Sequence, residues 1–241
     1  GGVCDRSMRI ACPKARIGTS LRLMAAFSHR PDRYRIASLP SMTALDELMA
    51  TGTGVIDTLD DLQGWLSEVA HAVKAATPGC EEVGVTVIAG HLPRTAAFTT
   101  TRTLTIDALQ YGLDQGPCLE AHRMRTPVVT TLDEGADRWP EFARAAREEH
   151  MRAVAAFPLT SGQVSVGALN MYAREPITLD DEERRCLAAL ASRVGDAVSA
   201  TYALIDAREL VGQLETAMAS RATIEQAKGV IMGRHGIDED A

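Results

Sequence analysis

One long helical stretch constrains this sequence more than any other feature. From Leu179 to Arg234 a single helix can run without a break, and Asp180 is suited to its N-cap. Roughly 50 helical residues at 1.5 Å each span about 75 Å, which is more than a domain of this size can cover. We therefore expect part of this helix to need a partner other than its own sheet.

The long helix carries an approximate seven-residue apolar rhythm, which is typical of a coiled coil. The rhythm comprises Val194, Ala197, Thr201, Leu204, Val211 and Met218. Arg208 and Glu215 interrupt this seam, so the expected coiled coil is modest in quality. The rhythm predicts a homodimer, and the alternative is a helix that packs only on its own sheet.

The last part of the sequence continues the helix and then turns. Apolar residues at helical spacing form a stripe: Leu214, Met218, Ile224, Ala227 and Ile231. Gly236 suits the end of this helix, and Asp238 suits the start of another. A helical hairpin needs both helices to bury such a stripe, so we expect the chain to be incomplete after Ala241.

The run from Ser220 to Met232, SRATIEQAKGVIM, resembles the opening of an ANTAR domain, the small three-helix RNA-binding module of bacterial antiterminators. Five residues stand where the family pattern puts them: Arg221, Ala227, Lys228, Gly229 and Met232. The resemblance implies RNA binding by Arg221 and Lys228, which share a helix face, with Arg234 as a weaker third member. The alternative is that these cations are only solvated charges on a surface helix.

The body of the chain alternates strand and helix patterns. The pattern predicts a helix at 57–76 capped by Asp57, strands at 83–89 and 94–101, irregular and short-helical material at 104–124, a strand at 127–130, a helix at 140–150, and paired strands at 152–159 and 164–172. This order predicts an α+β sheet with helices that cover one side.

Three segments of this body resemble a GAF domain: YGLDQGPCLEAHRMRTPVVTTL, DRWPEFARAAREEHMRAVAAFPL and SVGALNMYAREPITLDDEERRCLAALA. They are similar in particular to the GAF subfamily that precedes ANTAR domains in actinobacterial regulators. The resemblance spans about residues 57–200. It implies a mostly antiparallel sheet with flanking helices, a ligand cavity on one face of the sheet, and dimers built from those helices.

The predicted architecture is therefore a GAF-type mostly antiparallel sheet with flanking helices, followed by a long helix that enters an incomplete three-helix ANTAR module. We assign residues 1–41 to a disordered or non-native leader and 42–200 to the GAF sensor domain. Residues 201–213 form a helical linker, and 214–241 form a partial ANTAR domain.

The candidate ligand pocket combines aromatic lining residues with a few polar groups that orient a small molecule. Its members are Cys118, Trp139, Phe142, Arg152, Asn170 and Tyr172, with Arg152 or Asn170 as the orienting group. For each member, core packing is the competing interpretation.

Cys118 also carries the alternative function. In the turn GLDQGPC its thiol can be exposed, and His122 and Arg123 would lower its pKa if they lie beside the sulfur. This alternative is a GAF-fold redox enzyme or sensor, similar to free methionine sulfoxide reductase. Simple packing of Cys118 behind the Gly116-Pro117 turn is the competing interpretation.

Composition excludes several other classes. The five cysteines are widely spaced without a CxxC pair, so we expect neither disulfides nor a metal site, and a cytoplasmic location is natural. No phosphate loop or catalytic triad stands out, so we expect no enzyme activity and no cofactor. No run approaches the ~18 apolar residues of a membrane-spanning helix, so no membrane partner is expected.

The charge is distributed unevenly along the chain. The net charge of −7 argues against broad nucleic-acid binding. The first 41 residues nevertheless hold eight Arg or Lys against two Asp. That segment is either a basic RNA-binding arm or a misread region upstream of a start at Met42.

Together these patterns predict a signal-responsive regulator of transcription antitermination. The GAF domain would sense a ligand or a redox state and bias the long helix between two states. The expected partners are RNA hairpins, an unidentified small-molecule ligand of the GAF domain, and a second copy of the chain.

Overall fold

The computed structural model describes residues 56–90 and 92–235, and only the backbone of residues 231, 233 and 235. The leader at 1–41 and the predicted turn with Gly236 and Asp238 lie outside the described residues. The predictions made for them stay predictions.

The described chain forms five helices and five strands. In chain order they are α1 (Leu59–Ala76), β1 (Glu82–Ala89), β2 (Leu92–Phe98), α2 (Thr101–Leu113), α3 (Pro117–Met124), β3 (Val128–Thr131), α4 (Pro140–Glu148), β4 (Ala153–Ser161), β5 (Val164–Ala173) and α5 (Asp181–His235). Most elements lie within a few residues of their predicted positions.

Two local predictions are wrong, and in both cases a threonine cap decides the outcome. Thr58 rather than Asp57 caps α1, because its hydroxyl oxygen accepts a hydrogen bond from the Asp61 N–H at 3.1 Å. The second predicted strand ends early because Thr100 caps α2. The stretch at 104–124 is therefore largely regular, as parts of α2 and α3.

The strands form one sheet in the order β2-β1-β5-β4-β3, and every neighbouring pair is antiparallel. This confirms the predicted fold class. Helices cover both faces of the sheet, whereas the sequence pattern predicted cover on one side. The reason is that β1, β4 and β5 are buried along most of their length, so both of their faces need cover.

Each face of the sheet has its own apolar core. On one face, α1 and α5 pack against inward-facing residues such as Val85, Phe157 and Leu169. On the other face, α2, α3 and α4 pack against Val154 and Ala156. The period-two alternation of the strands separates the two cores.

Helix α5 is one unbroken helix of 55 residues, close to the predicted range. Asp180 caps it as predicted, since its Oδ1 accepts hydrogen bonds from the N–H groups of Glu182 and Glu183, both at 2.8 Å. The first part of α5 packs on the sheet through Leu187, Leu190 and other buried residues.

The predicted coiled-coil seam is partly wrong. Val194 is buried in the core of its own domain, and Thr201 is buried as well, with its hydroxyl donating to the Ala197 carbonyl at 2.9 Å and lying 3.4 Å from the Ile56 carbonyl. These two positions are not available to a second helix. Spacing alone identifies a buried helix face, but it does not tell a sheet from a second helix as the partner. Val211 and Met218 remain exposed.

Close contacts fix α5 to the domain at two places. A Cβ atom on Gly195 would lie 2.4 Å from the carbonyl oxygen of Thr160, so only glycine lets the helix approach β4 this closely. Further along, Arg208 donates a 2.7 Å hydrogen bond to the Asp57 carbonyl and forms an ion pair with the Asp57 carboxylate at 3.2 Å. From Leu210 to Val230 every residue of the helix is exposed.

Candidate functional site

Helix α2 turns polar side chains towards the sheet instead of towards solvent. Thr103, Asp107 and Gln110 are spaced by four and three residues, so they share one face of the helix. All three are completely buried. Thr103 donates a hydrogen bond to the Glu82 carboxylate at 3.1 Å. Asp107 and Gln110 meet strands β1, β2 and β5 and the start of α3 in a polar cluster, which consists of Thr86, Thr95, Asp107, Gln110, Tyr111, Cys118, Asn170 and Tyr172.

The carboxylate of Asp107 lies at the centre of the polar cluster. Its Oδ1 accepts hydrogen bonds from the Tyr172 hydroxyl and from Asn170 Nδ2, the latter at 3.2 Å. Its Oδ2 accepts one from the Thr95 hydroxyl at 2.7 Å. Burial raises the pKa of Asp107 to about 6, although these three hydrogen bonds lower it. None of the ion pairs formed within residues 56–90 and 92–235 involves Asp107.

A chain of hydroxyl groups leads to this carboxylate. Thr95 uses its only proton on Asp107, so the Tyr111 hydroxyl must donate to Thr95, at 3.0 Å. By the same reasoning Thr86 donates to Tyr111, at 2.8 Å. Thr86 in turn accepts from the Cys118 thiol at 3.4 Å. The negative charge of Asp107 thus fixes the direction of the hydrogen bonds made by the hydroxyls of Thr95, Tyr111 and Thr86.

Cys118 is packed in the interior of the domain. The side chain is completely buried, and burial, followed by the nearby charge of Asp107, raises the pKa of its thiol to about 12. His122, expected to lower this pKa, instead bonds to the Ser165 hydroxyl through Nδ1 at 2.9 Å. Arg123 pairs with Asp114 at the surface. Because the thiolate is the reactive form of cysteine, this environment argues against the redox alternative.

Gln110 connects α2 to the turn that carries Cys118. Its side-chain Nε2 donates to the Tyr172 hydroxyl at 2.7 Å, and its Oε1 accepts from the Cys118 N–H at 2.9 Å. Gly116 has a φ of 136°, and a Cβ atom there would lie 2.2 Å from Gln110 Oε1. The Gly-Pro-Cys turn therefore serves close packing against Gln110.

Asn170 is the member of the cluster with an unmet hydrogen-bonding need. It is completely buried on β5, and its Nδ2 also donates to the Thr86 hydroxyl at 2.9 Å. Its Oδ1 has no partner. Buried polar atoms normally have one, so this oxygen requires a donor.

The six pocket residues proposed from the sequence fall into three groups. Cys118, Asn170 and Tyr172 lie in the polar cluster. Trp139 and Phe142 belong to the apolar core between α4 and the sheet, and the Arg138 guanidinium lies 4.4 Å from the Trp139 ring centre. Arg152 immediately precedes β4 and is exposed, so it does not line a pocket with the others.

Sequence reasoning missed Asp107, Thr86, Thr95, Gln110 and Tyr111. The available signal was the spacing of the polar residues on α2, which repeats at helical intervals. That spacing is normally typical of a solvent-facing side, so it does not reveal a buried polar face.

An apolar groove of about 180 Å³ lies on the opposite side of the sheet. It is lined by Val87, Ile88, Ala89, Val166, Val198, Ser199 and Tyr202. The groove borders the part of α5 that packs on the sheet. It offers few polar groups to orient a ligand.

The exposed part of α5 carries two kinds of surface. Leu210, Val211, Leu214 and Met218 form an exposed stripe, and each is 53–73% accessible. Arg221, Lys228 and Arg234 are exposed as well, and Lys228 lies 3.8 Å from Glu225. Leu214, Arg221 and Lys228 follow one another at intervals of seven residues, so Arg221 and Lys228 continue the helix face on which the exposed stripe lies.

Within the described residues, no helix is long and apolar enough to cross a membrane. The same part of the chain contains no group of three or more acidic, histidine or cysteine side chains that could hold a metal ion.

Comparison with known families divides the chain into two regions. The GAF domain family matches residues 45–199, and the ANTAR domain family matches residues 212–241. No curated protein sequence matches the chain.

Several solved structures share the fold at low sequence identity. The reduced form of fRMsr from Staphylococcus aureus is 13% identical with a TM-score of 0.51, and the match covers 68% of this chain and 99% of that chain. The GAF domain of Acinetobacter phosphoenolpyruvate-protein phosphotransferase is 10% identical with a TM-score of 0.51, covering 68% and 96%. The phycoerythrobilin-bound GAF domain of a cyanobacterial phytochrome is 10% identical with a TM-score of 0.50, covering 69% and 97%. These similarities establish the fold of the domain.

Proposed function

This chain belongs to the GAF domain family and carries a segment of the ANTAR family, and from that membership we propose that it is a signal-responsive regulator of transcription antitermination. In this proposal the GAF domain senses a signal, and the ANTAR segment binds RNA hairpins in a nascent transcript. The protein acts in the cytoplasm, where it does not catalyse a reaction.

The observation that carries the proposal is the continuity of α5. One unbroken helix packs on the GAF sheet through Leu190 and Val198 and presents Arg221 and Lys228 to solvent. A continuous helix is rigid along its axis, so a shift at its packed end moves the cations at its exposed end. At Gly195 the backbone of α5 lies directly against Thr160 of β4, so a displacement of β4 at this point displaces the helix.

The polar cluster and α5 contact the same strand from opposite sides. On β5, Asn170 and Tyr172 face the polar cluster, whereas Leu169 and Met171 face the core that contains α5. If the hydrogen bonds of the polar cluster change and β5 shifts, the packing of β5 against α5 changes as well. In this proposal β5 is the element that couples the polar cluster to α5.

The exposed stripe of α5 supports a homodimer. Large apolar side chains on one helix face are stable in water when a second helix covers them, and a second copy of the chain offers a matching face. The exposed stripe of Leu210, Val211, Leu214 and Met218 ends at Met218, and Arg221 then occupies the same face, although Ile224 further along is also exposed. Like charges on two copies repel each other, so the interface stops there and the cations of both copies remain open to RNA.

The proposal is tested by RNA binding of the whole chain. We expect salt-sensitive binding to an RNA with two adjacent hairpins, and weaker binding to a plain duplex of the same base composition. Cationic side chains that meet phosphates close to an unpaired loop account for both features. The proposal is overturned if hairpin RNA and duplex RNA bind equally, or if neither binds.

A further inference from the structure

Two acceptor groups in the polar cluster lack the partner that their chemistry calls for. The Asp107 carboxylate is completely buried, and its hydrogen-bond donors are all neutral. The second is Asn170 Oδ1, on the amide whose Nδ2 bonds to Asp107. Trp65 Nε1 and Gln115 Oε1 also lack partners, but their residues are only partly buried, so Asn170 is the most demanding case.

Both missing partners are donors, and one of them should be positive. An anion would be repelled by Asp107. A water molecule would satisfy Asn170 Oδ1 but would leave a buried charge uncompensated, which is costly in a low-dielectric interior. A protonated amino group donates up to three hydrogen bonds and carries a positive charge. It can therefore donate to Asn170 Oδ1 and also compensate the charge of Asp107.

The groups around Asp107 supply no such charge. From α2 it is faced by Tyr111, from β5 by Tyr172, and from α3 by Cys118. Burial and the charge of Asp107 raise the pKa of each of these three groups, so all stay neutral at neutral pH. With a pKa of about 6, Asp107 itself is mostly ionised at pH 7.5. The cluster is therefore organised around one uncompensated negative charge.

We propose that the polar cluster is a binding site for a small ligand with a protonated amino group, which hydrogen bonds to Asp107 and to Asn170 Oδ1. The proposal rests on the proposed sensor function and names the chemical class of its signal. Binding neutralises Asp107 and draws α2 and β5 together through one shared group. Because β5 also borders α5, the signal reaches the output helix.

Ammonium is the probe for this site, because it has the required donors and is close to water in size. The melting temperature of the full chain is measured at pH 7.5 in 100 mM ammonium chloride and in 100 mM tetramethylammonium chloride, whose cation has no N–H donor. We expect melting to be about 2–4 °C higher in ammonium. The Asp107→Asn variant should lose this difference, whereas Asp137→Asn, which removes an exposed carboxylate, should keep it.

A second measurement does not depend on a variant that folds. The pKa of Asp107 is followed by carboxyl-carbon NMR of the wild-type chain, and it should fall when ammonium replaces tetramethylammonium. Equal melting in the two salts together with an unchanged pKa would overturn the inference and leave a site for water only.

Hairpin binding measured on the same samples separates the two proposals. Hairpin binding without an ammonium effect overturns this inference and leaves the regulatory function standing. An ammonium effect without hairpin binding supports the ligand class and overturns the function.

Discussion

The hydroxyl of Tyr172 on β5 donates a hydrogen bond to the carboxylate of Asp107 on α2, and both side chains are completely buried. A buried carboxylate held only by neutral donors is costly, and it lies where an apolar pair would pack more simply. The contact joins helix α2 to strand β5, so the ionisation of Asp107 bears directly on how these two elements pack.

The stability of the protein should depend on pH through Asp107. Its pKa in the folded chain is about 6 against an ordinary value of 3.8, so the folded state binds the proton more tightly than the unfolded state. The stability that this group contributes is complete below pH ~3.8 and is lost as the pH rises through 6. Relative to Asp107→Asn, the free energy of unfolding of the wild type should fall by about 2.4 kcal/mol between pH 4 and pH 7.

Urea denaturation at a series of pH values measures this difference. Asp137→Asn serves as the control, since the carboxylate it removes is exposed. Parallel curves for the wild type and Asp107→Asn would show that Asp107 is not the group responsible.

Cys118 should resist thiol reagents in the native protein. Its side chain is inaccessible, and its raised pKa, about 12, leaves almost no thiolate at neutral pH. Iodoacetamide should modify Cys118 in urea but not in buffer, as mass spectrometry of the peptide that contains it would show. Rapid modification of the folded chain would revive the redox alternative.

Two glycines of α5 should respond oppositely to replacement by alanine. Both changes remove the same backbone freedom from the unfolded chain. At Gly212 an added Cβ meets nothing within 4 Å, so Gly212→Ala should stabilise the protein by up to about 1 kcal/mol. At Gly195 the Cβ meets the Thr160 carbonyl, so Gly195→Ala should destabilise it by about 1–3 kcal/mol. Thermal unfolding of the two variants measures both effects, and equal stabilisation by both would contradict the close contact.

The exposed stripe should hold the dimer together. Leu214 lies in the middle of the stripe and is 56% accessible in the single chain, so Leu214→Glu would place a charge in the interface. We expect sedimentation to show a monomer for this variant and a dimer for Val164→Glu, which changes an exposed residue at the start of β5. A dimer that survives Leu214→Glu would place the interface elsewhere.

Much of this fold could be predicted from the sequence, because it depends on local signals. The uninterrupted pattern from Leu179 to Arg234 and the cap at Asp180 predict α5 almost to the residue. The strands follow from short apolar runs between turns. The boundary errors occurred where a threonine side chain, such as that of Thr58 or Thr100, competes with its neighbours to cap a helix.

The polar cluster could not be predicted in the same way. Asp107 is polar, and on a helix of mixed composition a polar residue normally faces water. Only the assembled sheet shows that Asn170 and Tyr172 approach it from a strand more than sixty residues away. The burial of Val194 likewise depends on which surface α5 meets, and helical spacing does not contain that information.

Lys228 should contribute directly to RNA binding. It is exposed on the same face as Arg221, and its nearest acid, Glu225, lies 3.8 Å away on the same helix. Lys228→Glu should weaken binding to the two-hairpin RNA and make it less salt-dependent, lowering the slope of log affinity against log salt by about one. Filter binding at several salt concentrations measures both quantities. Arg185→Glu makes the same charge change on an exposed part of α5 beside the sheet, and its affinity and slope should match the wild type. If both variants lose affinity equally, the total charge of the chain governs binding, and Lys228 does not touch the RNA.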